Sequence, residues 1–97
     1  MSIYLIANIA IEDWQEYEQY QSGFLEIFGR YGGELLAVSD ETEVMEGEWP
    51  YTRAVVLRFA SREDARRWYD SPEYQKLAEH RLRASKGTLI AVTGFGP

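Results

Sequence analysis

An α+β protomer, with one antiparallel sheet covered by helices, is the fold class this sequence predicts. Three observations carry it. Apolar runs at Ile3 to Ile11, Arg53 to Phe59 and Lys86 to Thr93 read as strands; aromatic residues recur at helical spacing from Tyr17 to Tyr31; and a Ser71-Pro72 dipeptide breaks a second helical stretch in two. At 97 residues the chain supports one core, expected to form a single domain over residues 1–97.

In the first run both alternating sets are apolar, Ile3, Leu5, Ala7, Ile9 and Ile11 against Tyr4, Ile6 and Ala10, so a strand buried on both faces is expected. Asn8 interrupts it, as a strand residue reaching a polar partner or as a pocket-lining group. Asp13 with Glu16 three residues on is a capping box, and the helix it opens is expected to run to about Tyr31. Tyr17, Tyr20, Phe24, Ile27, Phe28 and Tyr31 share one face of that helix and read as core. Gly32-Gly33 ends it, since glycine accepts a left-handed cap.

Glu34 to Val38 reads as the second strand, and Thr42 to Glu46 as its continuation after a bulge or bend. Trp49-Pro50 lies in a turn-rich connection before the third strand, Arg53 to Phe59. Ser61 with Asp64 caps the next helix, Asp70 closes it, Ser71 caps a restarted helix with Pro72 in its first turn, and Tyr74, Leu77, Ala78 and Arg81 fall on one face. Lys86 to Thr93 is the fourth strand, and Gly94-Phe95-Gly96-Pro97 a tail or a short arm. Strand, helix, strand, strand, helix pair, strand is the βαββαβ order of a ferredoxin-like fold.

Sixteen acidic against ten basic residues, a net charge of -6, argue against nucleic-acid binding, because phosphate contacts need clustered Lys and Arg. The absence of cysteine removes disulfides, thiolate nucleophiles and cysteine metal sites. The start lacks a signal-peptide pattern and no apolar run approaches the ~20 residues of a membrane helix, so a cytoplasmic protein without a membrane partner is expected. Helices cover one sheet face, while Tyr4, Ile6 and Val56, or the residues alternating with them, are left on the other. A second copy packed sheet to sheet is the expected cover, giving a homodimer that buries on the order of 2,000 Å².

Tyr4-Leu5-Ile6-Ala7, Gly32-Gly33, Glu46-Gly47-Glu48-Trp49-Pro50 with Arg53, and Trp68-Tyr69-Asp70-Ser71-Pro72-Glu73-Tyr74-Gln75 with Arg81 together resemble the DUF1330 family, over nearly the whole chain. The resemblance implies a protomer of the dimeric α/β-barrel superfamily with a cavity between helices and sheet. Relatives in that superfamily use the cavity as cofactor-independent monooxygenases, lactone isomerases, dehalogenases or binding proteins. The family is itself one of unknown function, so no reaction is implied.

Arg53 could clamp a carboxylate or an enolate oxygen, or pair with Glu46, Glu48 or Asp70 to lock a loop to the sheet; Arg81 is equally ambiguous. His80 is the candidate general acid or base by its chemistry, yet Glu79, Arg81 and Arg83 around it suggest a solvated surface. The Tyr69 and Tyr74 hydroxyls could orient an oxygen substrate. One histidine, no cysteine and scattered acids give no metal site, glycine-rich phosphate loops are absent, and no cofactor is expected. The first reading is a binder of a small apolar or aromatic molecule, neutral or anionic, held by Trp49, Arg53, Trp68, Tyr69, Tyr74 and Arg81. The alternatives are a cofactor-independent monooxygenase or isomerase acting on an enolisable aromatic or lactone, with Arg53, His80 or Tyr69 as its catalytic groups, and a dimeric interaction module without ligand.

Overall fold

The computed structural model describes residues 2–96, in the order β1 (Ile3–Ile11), α1 (Trp14–Gly29), β2 (Glu34–Ser39), β3 (Arg53–Phe59), α2 (Arg62–Tyr69), α3 (Pro72–Ala84) and β4 (Ser85–Thr93). The strands form one antiparallel sheet in the order β2-β3-β1-β4. This is the ferredoxin-like arrangement, with β1 and β3 in the centre and helices on one face.

Side-chain alternation in β1 sets the two faces. Ile3, Leu5, Ile9 and Ile11 are buried beneath the helices, whereas Tyr4, Ile6, Asn8 and Ala10 on the opposite face keep partial exposure. The expected burial on both faces is thus met on one within a single chain. Register puts Ala54 and Val56 of β3, and Ile90 and Val92 of β4, on that second face, and Ile90 is 51% exposed.

The core is an aromatic cluster. Trp68, 1% exposed, lies 4.2 Å from Tyr74, 5.4 Å from Phe28 and 5.7 Å from Phe59 between ring centroids. Truncating such a residue to alanine typically costs ~3–5 kcal/mol. Ser71 fixes the angle between the two short helices: its hydroxyl donates to the Trp68 carbonyl (2.8 Å) and accepts from the Tyr74 amide (3.2 Å), so one buried side chain both ends α2 and starts α3.

Four details differ from expectation. Asp13 does cap α1, accepting from the Glu16 amide, but the box is not reciprocal: the Asp13 amide donates to the Ala84 carbonyl, and the Glu16 carboxylate turns to His80 and Arg83. Helix α1 ends at Gly29, because the Arg30 and Tyr31 amides bond back only three residues in a tightened turn before Gly32 at φ 77°. Residues 42–46 form no strand. Already Glu34 to Ser39 occupy β3 from Arg58 to Ala54, and the bulge falls inside β2, between Leu35 and Ala37. Of the tail, Gly94 donates to the Ser2 carbonyl (2.7 Å), Phe95 is fully exposed, and Pro97 lies outside the described residues.

Candidate functional site

At the middle of β1, the inward residue is Ala7, flanked across the sheet by Val55 and Leu89. Its methyl group cannot reach the helices, and a cavity of about 280 Å³ remains between the sheet, α1 and α3. Ile9, Val55, Leu57 and Leu89 floor it, Tyr17, Tyr20 and Phe24 of α1 wall it, and Trp68, Tyr74 and Arg81 complete it from the other helices. Leu25, Leu35 and Val38 border it too and remain exposed, so the cavity opens toward the β2 edge. Among the described residues, no Asp or Glu lines it.

Arg53 guards this rim. Its guanidinium makes a bidentate pair with Asp40 (2.7 and 3.0 Å), donates to the Gln21 side chain (2.9 Å) and lies over the Tyr17 and Trp14 rings at 5.4 and 5.6 Å. The partner expected from sequence was Glu46, Glu48 or Asp70. Instead it is Asp40, which directly follows β2 and so arrives opposite Arg53, while Asp70 is held by Arg66. The hydrogen bonds from Arg53 hold the Asp40 carboxyl below the usual carboxylate range, and Asp40 in turn raises Arg53.

Arg81 is placed differently. It approaches the Tyr20 ring at 5.6 Å and, among the described residues, has no carboxylate within ion-pair reach. Burial works against its charge, the neighbouring tyrosine oxygens favour it, and the guanidinium stays charged. The Tyr20 and Tyr74 hydroxyls bond each other at 2.8 Å. Burial raises the pKa of both, so they present hydroxyl groups rather than phenolates.

Of the residues proposed from sequence, Arg53, Trp68, Tyr74 and Arg81 come together around this cavity; Trp49, Tyr69 and His80 do not border it. Trp49 donates to the Asn8 side chain (3.3 Å), which belongs to the opposite sheet face and itself reaches Thr88 (3.4 Å). Tyr69 packs against Trp68 and Tyr74 with Arg66 over its ring at 5.4 Å. His80 contacts Glu16, which Arg83 also engages at 3.0 Å, in a partly exposed cluster between α1 and α3. Tyr17, Tyr20 and Phe24 belong to the aromatic stripe that the sequence assigns to the core, and Gln21 is not singled out by it; nothing in the stripe shows which rings face a gap. No group of three or more His, Cys, Asp or Glu among the described residues could hold a metal, and none of these helices is long and apolar enough to cross a membrane.

Residues 2–95 match the domain of unknown function DUF1330. The chain belongs to the DUF1330 family. No curated protein matches it in sequence. Similar solved structures include a protein of unknown function from Rhodopseudomonas palustris, 15% identical with a TM-score of 0.81, covering 99% of this chain and 84% of that one. SnoaB, a cofactor-independent oxygenase from Streptomyces nogalater, is 12% identical with a TM-score of 0.72 over 99% and 95% of the two chains. A dimeric ferredoxin-like protein of unknown function from a Jannaschia species is 8% identical with a TM-score of 0.74 over 97% and 100%. At these identities the likeness establishes the ferredoxin-like fold of this DUF1330 chain and no activity.

Proposed function

We propose that this DUF1330 protein is a single-domain protomer that pairs through its outward sheet face and binds one small, largely apolar or aromatic molecule per protomer between helices and sheet. The carrying observation is the apolar cavity of about 280 Å³ opening at the β2 edge, a size and lining suited to a compact organic ligand. A binding role is favoured over catalysis because Arg53 is engaged by Asp40 and Gln21, and His80 lies outside the cavity lining. The dimer is supported by the row of Tyr4, Ile6, Val56, Ile90 and Val92 on the uncovered face, by Trp49 laid against that face, and by the dimeric state of the Jannaschia relative in fold.

Sedimentation tests the assembly: the wild-type chain sediments at twice 11.2 kDa and Ile90→Glu at the monomer mass. A wild-type monomer at micromolar concentration removes the dimer. A thermal-shift series of small aromatic acids, amides and lactones tests the cavity, since a ligand that prefers the folded state raises the melting temperature. If no compound in the series raises it, the binding role fails.

A further inference from the structure

We infer that the cavity's ligand carries a carboxylate or equivalent oxyanion on its apolar body, received by Arg81 together with the Tyr20–Tyr74 hydroxyl pair. This rests on the binding role proposed above and assigns its polar end. Donors outnumber acceptors at this end of the cavity, and no carboxylate among the described residues lines it. Arg30, Arg53, Arg58, Arg66, Arg67 and Arg83 each meet an acidic side chain, and Arg62 donates to Thr93. In a chain with sixteen acids for ten bases, Arg62 and Arg81 are the arginines that meet no acidic side chain among the described residues, and of the two only Arg81 borders the cavity.

The tyrosine pair adds to the surplus. Two hydroxyls hold two protons, one mutual bond uses one, and the other has no acceptor among the described residues. A buried donor left unpaired is costly, so a ligand that brings acceptor oxygens gains what the protein alone leaves unmade. A cationic ligand would meet Arg81 and no carboxylate. The floor of Ala7, Val55 and Leu57 offers only apolar contact for the remainder of the molecule.

The experiment compares 2-naphthoate with its neutral isostere 2-naphthamide by isothermal titration calorimetry on the full chain, as wild type, Arg81→Met and Arg81→Lys. Wild type is expected to bind the acid roughly ten- to a hundredfold more tightly than the amide, the range of a hydrogen bond to a charged group. Arg81→Met binds both alike, and Arg81→Lys keeps part of the preference. Equal wild-type binding of acid and amide overturns the anion site while leaving the cavity role standing, as does a preference that survives in Arg81→Met. Binding of neither compound to wild type overturns both. Should Arg81→Met not fold, the wild-type isostere comparison and Arg81→Lys decide the matter.

Discussion

The hydroxyl pair between α1 and α3 can be taken apart one oxygen at a time. Tyr20 and Tyr74 are 7% and 1% exposed, and their oxygens lie 2.8 Å apart. Tyr20→Phe removes one hydroxyl and leaves the other without its partner. A neutral hydrogen bond contributes ~1 kcal/mol net, and a buried polar group left unpaired costs ~1–3 kcal/mol. Because the pair borders a cavity that solvent can enter, the low end applies, and each single variant should lose ~1 kcal/mol, or ~4–8 °C in melting temperature for a domain of this size. The double variant Tyr20→Phe/Tyr74→Phe removes both polar atoms together, so no stranded hydroxyl remains. Its loss should be close to that of one single variant, giving a coupling energy of ~1 kcal/mol. Urea unfolding of the four proteins at one fixed protein concentration measures this, the fixed concentration being needed for a chain expected to dimerise. A double variant whose loss equals the sum of the singles would refute the mutual bond, and with it the count of hydroxyl protons on which the anion site depends.

Other perturbations test the frame around the cavity. Asp40→Asn should cost ~1 kcal/mol at neutral pH, a figure kept small because Asp40 is half exposed. The folded-state pKa of Asp40 lies below its ordinary 3.8, so its stabilisation is complete above that value and is lost as pH falls through the folded-state pKa. The gap between wild type and Asp40→Asn should therefore close in acid, and a gap that widens there in urea midpoints would contradict the pairing. Gly87→Ala would set a Cβ 2.1 Å from the Asn8 carbonyl oxygen of central β1, where no flexible side chain can yield, and should cost ~3 kcal/mol or more. Gly29→Ala meets nothing within 4 Å at the end of α1 and should be neutral or stabilising by ~0.4–1 kcal/mol, so the pair of melting temperatures checks both claims.

Element types followed from local chemistry and were legible for that reason. Asp13, Ser61 and Ser71 each accept from the amide three residues on, as their positions before helical runs imply. What local pattern does not disclose is which segment finds a partner. Residues 42–46 read as an extended continuation of β2, yet they lie past the point where β3 begins at Arg53, so the β2–β3 ladder has nothing left for them to pair with. Both that error and the misassigned partner of Arg53 had a common signal. Acids stand at Glu34 and Asp40, basic residues at Arg53 and Arg58, and antiparallel pairing brings Glu34 to Arg58 and Asp40 to Arg53. The acids are six apart and the arginines five, which demands one extra residue in β2; the bulge supplies it. The cavity itself was not readable from periodicity. It depends on Ala7 being too short to fill space that the facing aromatic rings leave open, a property of the folded arrangement rather than of either segment.

The three indoles of this chain occupy environments so unlike one another that the protein is already instrumented for optical work. Trp14 is exposed at the start of α1, Trp49 rests half-covered against the outward sheet face, and Trp68 is enclosed on the cavity wall. Replacing Trp14 and Trp49 with phenylalanine would leave a single emitter whose spectrum reports on the cavity alone. Restoring Trp49 alone would place a second emitter where a neighbouring copy would sit. Occupancy and association could then be followed in separate colours of the same intrinsic signal, with no attached dye.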